Sequence, residues 1–179
     1  MNDVTIRRAE AGDLPTLTDI YNHYVATTPI TFDIEPRTLA QRREWFEQFS
    51  AAGRYQCFVA ANGGGAVGWA CSGRFKEKAA YETTIETSIY LAPEATGRGL
   101  GRRLYDTLFK ALAGEDIHQA FAGITLPNDA SVALHRSFGF RLVGTYPEVG
   151  RKFGRYWDTA LYMREFDSGG RSRRRSPSQ

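Results

Sequence analysis

The sequence has 179 residues, the size of one domain that can bury a hydrophobic core. Hydrophobic residues make up 42% and aromatic residues 13%, which excludes a chain that is disordered throughout. The formal net charge of +3 comes from the C-terminal end, because four of the 23 basic residues follow Ser168 and the other 19 face 20 acidic residues. The body therefore carries no general signal for nucleic acid.

Composition divides the chain into a body and a tail. Residues 1–166 are predicted to form one domain, and the Arg/Ser-rich residues 167–179 a disordered tail, either a solubilising end or an interaction segment. Cys57 and Cys71 are too few for a disulfide framework and suit a reducing cytoplasm. No apolar leader follows Met1, and no run approaches the roughly 18 apolar residues of a membrane helix. We expect a cytoplasmic location, no membrane contact and no metal site.

The first half of the chain predicts one strand, two helices and a hairpin. Asp13 and Pro15 mark the start of the first helix, and Thr38 with Gln41 forms a capping box for the second. Four consecutive small residues before Ala66 predict the hairpin turn. In chain order the elements are a strand Val4–Arg8, a helix from Leu14 to Val25, a loop Ile30–Pro36, a helix ending near Gly53, and strands Tyr55–Ala61 and Ala66–Ser72.

The second half alternates strands and helices. The helix after Gly99 places Leu100, Leu104, Leu108 and Leu112 on one stripe, so one face should be buried. The elements are strand Tyr81–Leu91, the helix after Gly99, strand Ala120–Leu126, helix Ser131–Phe138, and strands Phe140–Tyr146 and Tyr156–Arg164. The whole order is β-α-α-β-β-β-α-β-α-β-β, which predicts an α/β fold with a mixed central sheet flanked by helices.

A glycine-rich segment joins the long strand to the amphipathic helix. Gly97, Gly99 and Gly101 alternate with larger residues, and Arg98, Arg102 and Arg103 add positive charge. Glycines let a ligand approach the backbone, and the first N–H groups of a helix have no partner within it. The helix dipole also favours an anion there. The segment from Gly97 through Leu100 to Arg102 therefore predicts a pyrophosphate site, and the alternative is a turn that only caps the helix.

Two common phosphate-binding motifs do not fit this segment. The nucleotide hydrolase loop needs a Gly-Lys pair, and none occurs in the chain. The dinucleotide motif G-x-G-x-x-G needs a third glycine, but Arg102 or Leu104 stands at that position. The remaining pattern, Q/R-x-x-G-x-G/A, is that of the acetyl-coenzyme A loop, although Thr96 replaces its usual Gln or Arg.

The chain resembles the GCN5-related N-acetyltransferases in a second motif as well. Asn128–Phe140 is similar to the family signature N-x-x-S/A-x-x-L-[YH]-x-x-x-G-F. The segments Ile20–His23, Pro29–Pro36 and Val149–Asp158 resemble the phosphinothricin and methionine sulfoximine N-acetyltransferases within that family. The likeness covers Thr5 to Phe166. It implies the family fold, acetyl-CoA as co-substrate and acetyl transfer to the α-amine of a small amino-acid-like acceptor in a ternary complex, and it suggests a homodimer.

A general base is needed to take the proton of the acceptor amine. Strand alternation places Glu86, Ser88 and Tyr90 on one face, and the resemblance places the proton acceptor at Glu86. Glu82 on the same face is the competing candidate, and a solvated strand carboxylate is the alternative. His135 stands where many relatives carry a Tyr that protonates the leaving thiolate, but a cofactor contact or simple packing is equally open.

The resemblance also implies residues that hold the donor and the acceptor. The N–H groups of Ser88, Ile89 and Tyr90 would face the acetyl carbonyl and pantetheine, and Asn128 and Ser131 belong to the second motif. The candidate acceptor-binding residues are Tyr24, Phe32, Arg74, Lys76 and Tyr81, of which Arg74 or Lys76 would pair with a carboxylate. Other amines, such as a polyamine, a protein N-terminus or an aminoglycoside, stay open. Two other functions also stay open, namely a non-catalytic acyl-CoA-binding module and a contact of the Arg-rich tail with nucleic acid. Nucleic acid is the least favoured of the possible partners.

Overall fold

The computed structural model describes residues 4–166, so the tail predicted from residue 167 onward lies outside the described residues. Seven strands and four helices follow one another in the predicted order. They are β1 (Thr5–Arg8), α1 (Leu14–Thr27), α2 (Leu39–Phe46), β2 (Cys57–Asn62), β3 (Gly65–Arg74), β4 (Thr84–Leu91), α3 (Leu100–Ala111), β5 (Gln119–Thr125), α4 (Asp129–Ser137), β6 (Arg141–Lys152) and β7 (Arg155–Glu165).

Most predicted boundaries lie close to the observed ones, and the differences have local causes. The capping box of α2 is confirmed, because Gln41 N–H donates to Thr38 Oγ1 at 3.2 Å and Thr38 N–H donates to Gln41 Oε1 at 2.9 Å. The prediction that α2 reaches Gly53 is wrong, since Phe49 N–H bonds the Phe46 carbonyl three residues back and the chain turns away. Strand β4 begins at Thr84 rather than Tyr81, because residues 79–81 form a 3-10 turn. Strand β6 continues to Lys152, six residues beyond its predicted end.

The strands form one mixed sheet in the order β1-β2-β3-β4-β5-β7-β6. Only β4 and β5 pair in parallel, while the other neighbours are antiparallel. Helix α1 packs on the face that carries Trp69 and Tyr90, since the Tyr21 ring lies 5.2 Å from that of Tyr90. Helix α3 lies on the opposite face, where Gly101 approaches Ile89 and Leu91.

The predicted apolar stripe of α3 fills the core on its face of the sheet. Leu104, Leu108 and Leu112 are fully buried and Leu100 is nearly so. Each buried leucine side chain contributes about 1.5–3 kcal/mol relative to an exposed one. The stripe therefore fixes α3 on the sheet, and with it the glycine-rich turn that precedes the helix.

Strands β4 and β5 separate part-way along their length. They pair only where Thr84–Glu86 meets Gln119–Phe121, although β4 continues to Leu91 and β5 to Thr125. Beyond Glu86 the alternate peptide groups of β4 that would bond a neighbouring strand face a gap instead. Among the described residues, no helix is both long and apolar enough to span a membrane.

Candidate active site

The gap between β4 and β5 is the mouth of a cavity of about 370 Å³. Its walls are the separated halves of the two strands, and the N-terminal turns of α3 and α4 close its rim. Ten of the eleven residues predicted to bind the donor line it, Arg98 being the exception. These ten are Ser88, Ile89, Tyr90, Gly97, Gly99, Leu100, Gly101, Arg102, Asn128 and Ser131.

The glycine-rich turn presents a row of unused hydrogen-bond donors to this cavity. Within the described part of the chain, the backbone N–H groups of residues 97–102 donate to no carbonyl or side chain, and the first bond of the helix runs from Arg103 to Gly99. Gly97 and Gly99 have φ angles of +70° and +73°, in the left-handed region where a side chain is strained. A Cβ built on either meets no protein atom within 4 Å. The backbone donors and the open space fit a bound anion such as pyrophosphate.

The arginines of this segment differ in their positions. Arg102 lines the cavity, and its Cζ lies 5.7 Å from the centre of the Phe138 ring. Arg98 is exposed and stands outside the lining. Arg103 Nη2 donates to the Val4 carbonyl at 2.6 Å and so connects α3 to the residue that precedes the first strand. Arg102 is thus the cation that the fold directs to this site.

Asn128 lies on the far rim and has a structural task as well. Its Oδ1 accepts from the Ser131 N–H at 3.2 Å and so caps α4. Asn128 also lines the cavity, and its Nδ2 donors are not used by the cap. Capping and ligand contact are therefore compatible at this residue.

His135 lies in the cavity wall with both ring nitrogens engaged. Nδ1 is 2.7 Å from the Ser131 carbonyl oxygen, which can only accept, so this nitrogen carries the proton. Nε2 then accepts from the Tyr105 hydroxyl at 2.8 Å. Burial lowers the pKa of His135, since desolvation disfavours the imidazolium form. The acid role of His135 stays a prediction, and this bonding makes it less favourable than packing and support.

Glu86 stands at the point where β4 and β5 part. It is the last residue of β4 that pairs with β5, and its register partner there is Phe121. Phe121 stacks on Phe75 at 4.8 Å, and Phe75 contacts the edge of Tyr81 at 5.8 Å. Neighbouring protein raises the pKa of Glu86 by desolvation, and the residue is nonetheless exposed to solvent. A carboxylate with a raised pKa is a better proton acceptor for an amine. Glu86 lies beside the cavity rather than in its lining.

A second cavity, of about 330 Å³, lies on the α1–α2 face of the sheet. It shares Ser88 and Tyr90 with the first cavity, so β4 forms a common wall between them. Its remaining lining comes from α1, α2 and β3, as well as the loop between the helices, and includes Arg42. No sequence pattern had predicted this pocket. The available signal was a charged residue, Arg42, three positions before Trp45 on the inward stripe of α2.

The predicted acceptor-binding residues are spread over three places. Tyr24 lines the first cavity and donates its hydroxyl to the Leu91 carbonyl at 2.6 Å. The Phe32 ring lies against the backbone of Gly150, where a Cβ would collide with it. Lys76 Nζ lies 5.2 Å from the centre of the Tyr81 ring, at the end of the site near Glu86.

Arg74 is the fifth of these residues. It is exposed at the end of β3 and pairs in register with Ile85. The lining of the second cavity contains none of the five. Their roles toward an acceptor stay predictions.

Comparison with known proteins identifies the family. The acetyltransferase (GNAT) family profile matches residues 17–140. The chain belongs to the GNAT family of acetyltransferases. It is 54% identical over 164 residues to a phosphinothricin N-acetyltransferase of Streptomyces coelicolor, covering 90% of this chain and 96% of that protein. It is 35% identical to a methionine sulfoximine/methionine sulfone acetyltransferase of Pseudomonas paraeruginosa, over 91% and 95% of the two chains.

A solved structure supports the same assignment. The phosphinothricin acetyltransferase of Sinorhizobium meliloti in complex with acetyl-CoA superimposes with a TM-score of 0.82 at 36% identity, covering 90% of this chain and 88% of the other. GNAT enzymes use acetyl-CoA, which supplies the acetyl group as a thioester. The cavity between β4 and β5, with its row of N–H donors, fits such a donor molecule.

Proposed function

We propose that this acetyltransferase acetylates the α-amine of a small amino-acid-like acceptor of the phosphinothricin or methionine sulfoximine type. The names of the relatives in Streptomyces and Pseudomonas support the acceptor class. Transfer is direct, within a complex that holds donor and acceptor together. The observation that carries the proposal is the common wall at Ser88 and Tyr90, which separates the cavity lined by the candidate donor-binding residues from a polar pocket on the other face.

On the donor side, the N–H groups of residues 97–102 and the Arg102 side chain hold the pyrophosphate. Charge-assisted bonds of this kind are stronger than neutral ones. The pantetheine arm lies between β4 and β5, where the unpaired peptide groups near Ile89 and the Asn128 amide act as partners. Ser131 and His135 support the rim by their mutual hydrogen bonds.

On the acceptor side, Glu86 accepts the proton of the ammonium group, either directly or through water. Its raised pKa and its place at the fork of the strands support this role. The competing residue Glu82 is engaged elsewhere, because its Oε1 accepts from Arg54 Nη1 at 3.1 Å. Holding both reactants at the fork supplies the orientation that transfer requires.

Glu86→Gln tests the assignment, with Glu82→Gln as the matched variant. We expect Glu86→Gln to lower kcat by about 10²–10⁴-fold, the usual contribution of a general base, while the calorimetric affinity for CoA stays unchanged. Thiol release would be measured with phosphinothricin, methionine sulfoximine, unmodified amino acids and a polyamine. Full activity in Glu86→Gln would refute the base, and turnover confined to the polyamine would refute the acceptor class.

We also propose a homodimer, as well as a cytoplasmic location. Among the strands of the described residues, β6 pairs only with β7, and nine consecutive residues from Arg141 to Val149 are exposed. They include Leu142, Val143 and Tyr146, and an exposed apolar edge strand favours association. We propose that a second copy of the chain covers this exposed face of β6. Cys57 and Cys71 form no disulfide, as suits a reducing compartment.

A further inference from the structure

Among residues 4–166, the second cavity contains a positive charge without a counter-ion. Its charged lining residues are Asp33, Arg37 and Arg42. Asp33 accepts two bonds from Arg37, each 2.6 Å long, and one from the Tyr21 hydroxyl at 2.8 Å. Asp33 and Arg37 therefore neutralise each other, and the charge of Arg42 is left over.

Arg42 is buried in an unusual way for a cation. Only 5% of the residue is exposed, and its Nε and Nη2 have no hydrogen-bond partner among the described residues. Its Cζ lies 3.6 Å from the centre of the Trp45 ring and 5.4 Å from that of Trp69, so aromatic faces offset part of the lost hydration. Burial lowers the pKa of the guanidinium because no carboxylate compensates it. An unpaired buried charge is costly, and an anion entering the cavity would relieve that cost.

The position of Arg42 relates this charge to the reaction. Trp69 lies next to the guanidinium and stacks on Tyr90 at 5.0 Å, and Tyr90 follows Ser88 on the same face of β4. Glu86 precedes Ser88 on that face, about 7 Å away along an extended strand. The cavity that Arg42 lines extends to Ser88, so a zwitterionic acceptor held in it would turn its amine toward Glu86 and an acidic group toward Arg42.

We propose that Arg42 is the receptor for an anionic oxygen group of the acceptor and determines specificity for acidic or zwitterionic amines. The inference rests on the proposed function and deepens it. The shared chemistry is a delocalised oxyanion, either the α-carboxylate or an acid at the end of the side chain, such as a phosphinate. Arginine suits such groups because its planar donors match their geometry.

The sequence had suggested Arg74 or Lys76 for a carboxylate, and neither lines this cavity. Lys76 Nζ lies over the rings of Phe75 and Tyr81 at 5.1 and 5.2 Å. Both residues are exposed, so water screens their charges. Arg42 acts from a buried position where an ion pair is screened much less.

The test compares Arg42→Met, which removes the charge, with Arg42→Lys, which keeps it, and uses Arg43→Met as a control because Arg43 is exposed on the same helix. Steady-state thiol release would be measured with methionine sulfone, its α-carboxamide, phosphinothricin and phosphinothricin α-carboxamide. We expect Arg42→Met to raise the KM for the oxyanion-bearing acceptor by about 10–150-fold. Arg42→Lys should restore part of this affinity. The KM for acetyl-CoA and all constants of Arg43→Met should stay unchanged.

The acceptor series identifies which oxyanion is bound. If it is the α-carboxylate, the penalty disappears with both carboxamides. If it is the side-chain acid, the penalty persists with phosphinothricin carboxamide and is absent with methionine sulfone. A KM that rises equally for acids and neutral amides, or that does not change, overturns the proposal for Arg42.

Two further results keep these outcomes separate. If Arg42→Met does not fold, the same comparison with Arg42→Lys decides, since a rise confined to oxyanion-bearing acceptors supports the receptor and a uniform rise refutes it. Absence of thiol release by the unmodified enzyme with every amino-acid acceptor would refute the proposed function, and the role of Arg42 with it. Normal turnover by the unmodified enzyme, together with unchanged constants in the Arg42 variants, would refute only the role of Arg42.

Discussion

Gly99 allows the donor site to be tested apart from the chemistry. Its φ of +73° is in the left-handed region, it lines the first cavity, and a Cβ built there meets no atom within 4 Å. Gly139 has a φ of +81° and likewise no neighbour within 4 Å of a built Cβ, but it does not belong to the described cavity lining. Gly99→Ala and Gly139→Ala therefore impose similar backbone strain, and only Gly99→Ala places a methyl group beside the N–H donors.

The magnitudes follow from these geometries. Left-handed backbone costs a non-glycine residue about 1–2 kcal/mol, so both variants should melt lower by roughly 2–8 °C for a chain of this size. In Gly99→Ala the methyl group would displace a phosphate oxygen from at least one N–H group. A hydrogen bond to a charged group contributes about 1.5–3 kcal/mol, so the Kd for CoA should rise about 10- to 150-fold.

Two measurements separate the effects, namely thermal unfolding without ligand and calorimetric titration with CoA. We expect equal losses of melting temperature and a loss of CoA affinity in Gly99→Ala alone. An unchanged Kd in Gly99→Ala would show that the ligand does not approach this backbone. A higher Kd for CoA in both variants would show that general backbone strain, not contact with the N–H groups of residues 97–102, controls binding.

Three further predictions concern pH, stability and assembly. The pKa of Glu86 is raised in the folded state, so ionisation of this carboxyl group costs stability as the pH rises through that pKa. Glu86→Gln should therefore unfold at a higher temperature than the unmodified protein near pH 8. Below the ordinary glutamate pKa, near 4, the two proteins should unfold at the same temperature. Hydrogen bonds from Arg7 lower the pKa of Asp13, so Asp13→Asn should lose about 1.5–3 kcal/mol of unfolding free energy at pH 7. This loss should fade as the pH falls through the lowered pKa. Asp19 is exposed, so Asp19→Asn should lose little. Tyr146→Lys should shift sedimentation from dimer to monomer, and a dimer that persists with the β6 face charged would contradict this interface.

Local sequence determined the helices and strands, as well as the conformation of the glycine-rich turn before α3. Alternation, helical spacing and capping residues act over three or four positions, which is why all eleven elements and the stripe of α3 could be predicted. The glycines around Arg98 specify a backbone conformation by themselves, and the resemblance to the family supplied the remaining candidates, so that ten of the eleven residues predicted to bind the donor line one cavity. The exposed position of Arg98 depends on how the turn meets the rest of the protein.

Only the tertiary structure decided where the strands part, and what that parting brings together. The fork after Glu86 depends on the pairing of β4 with β5 across more than thirty residues of chain, and no local pattern encodes its length. The hydrogen bond of Tyr105 to His135 and the burial of Arg42 in the lining of the second cavity, with Nε and Nη2 free of partners in the described part of the chain, likewise arise from contacts between separate elements. Burial and hydrogen-bond partners set the charge state of these side chains and the groups that they can contact. Burial and hydrogen-bond partners are in turn properties of the packed molecule.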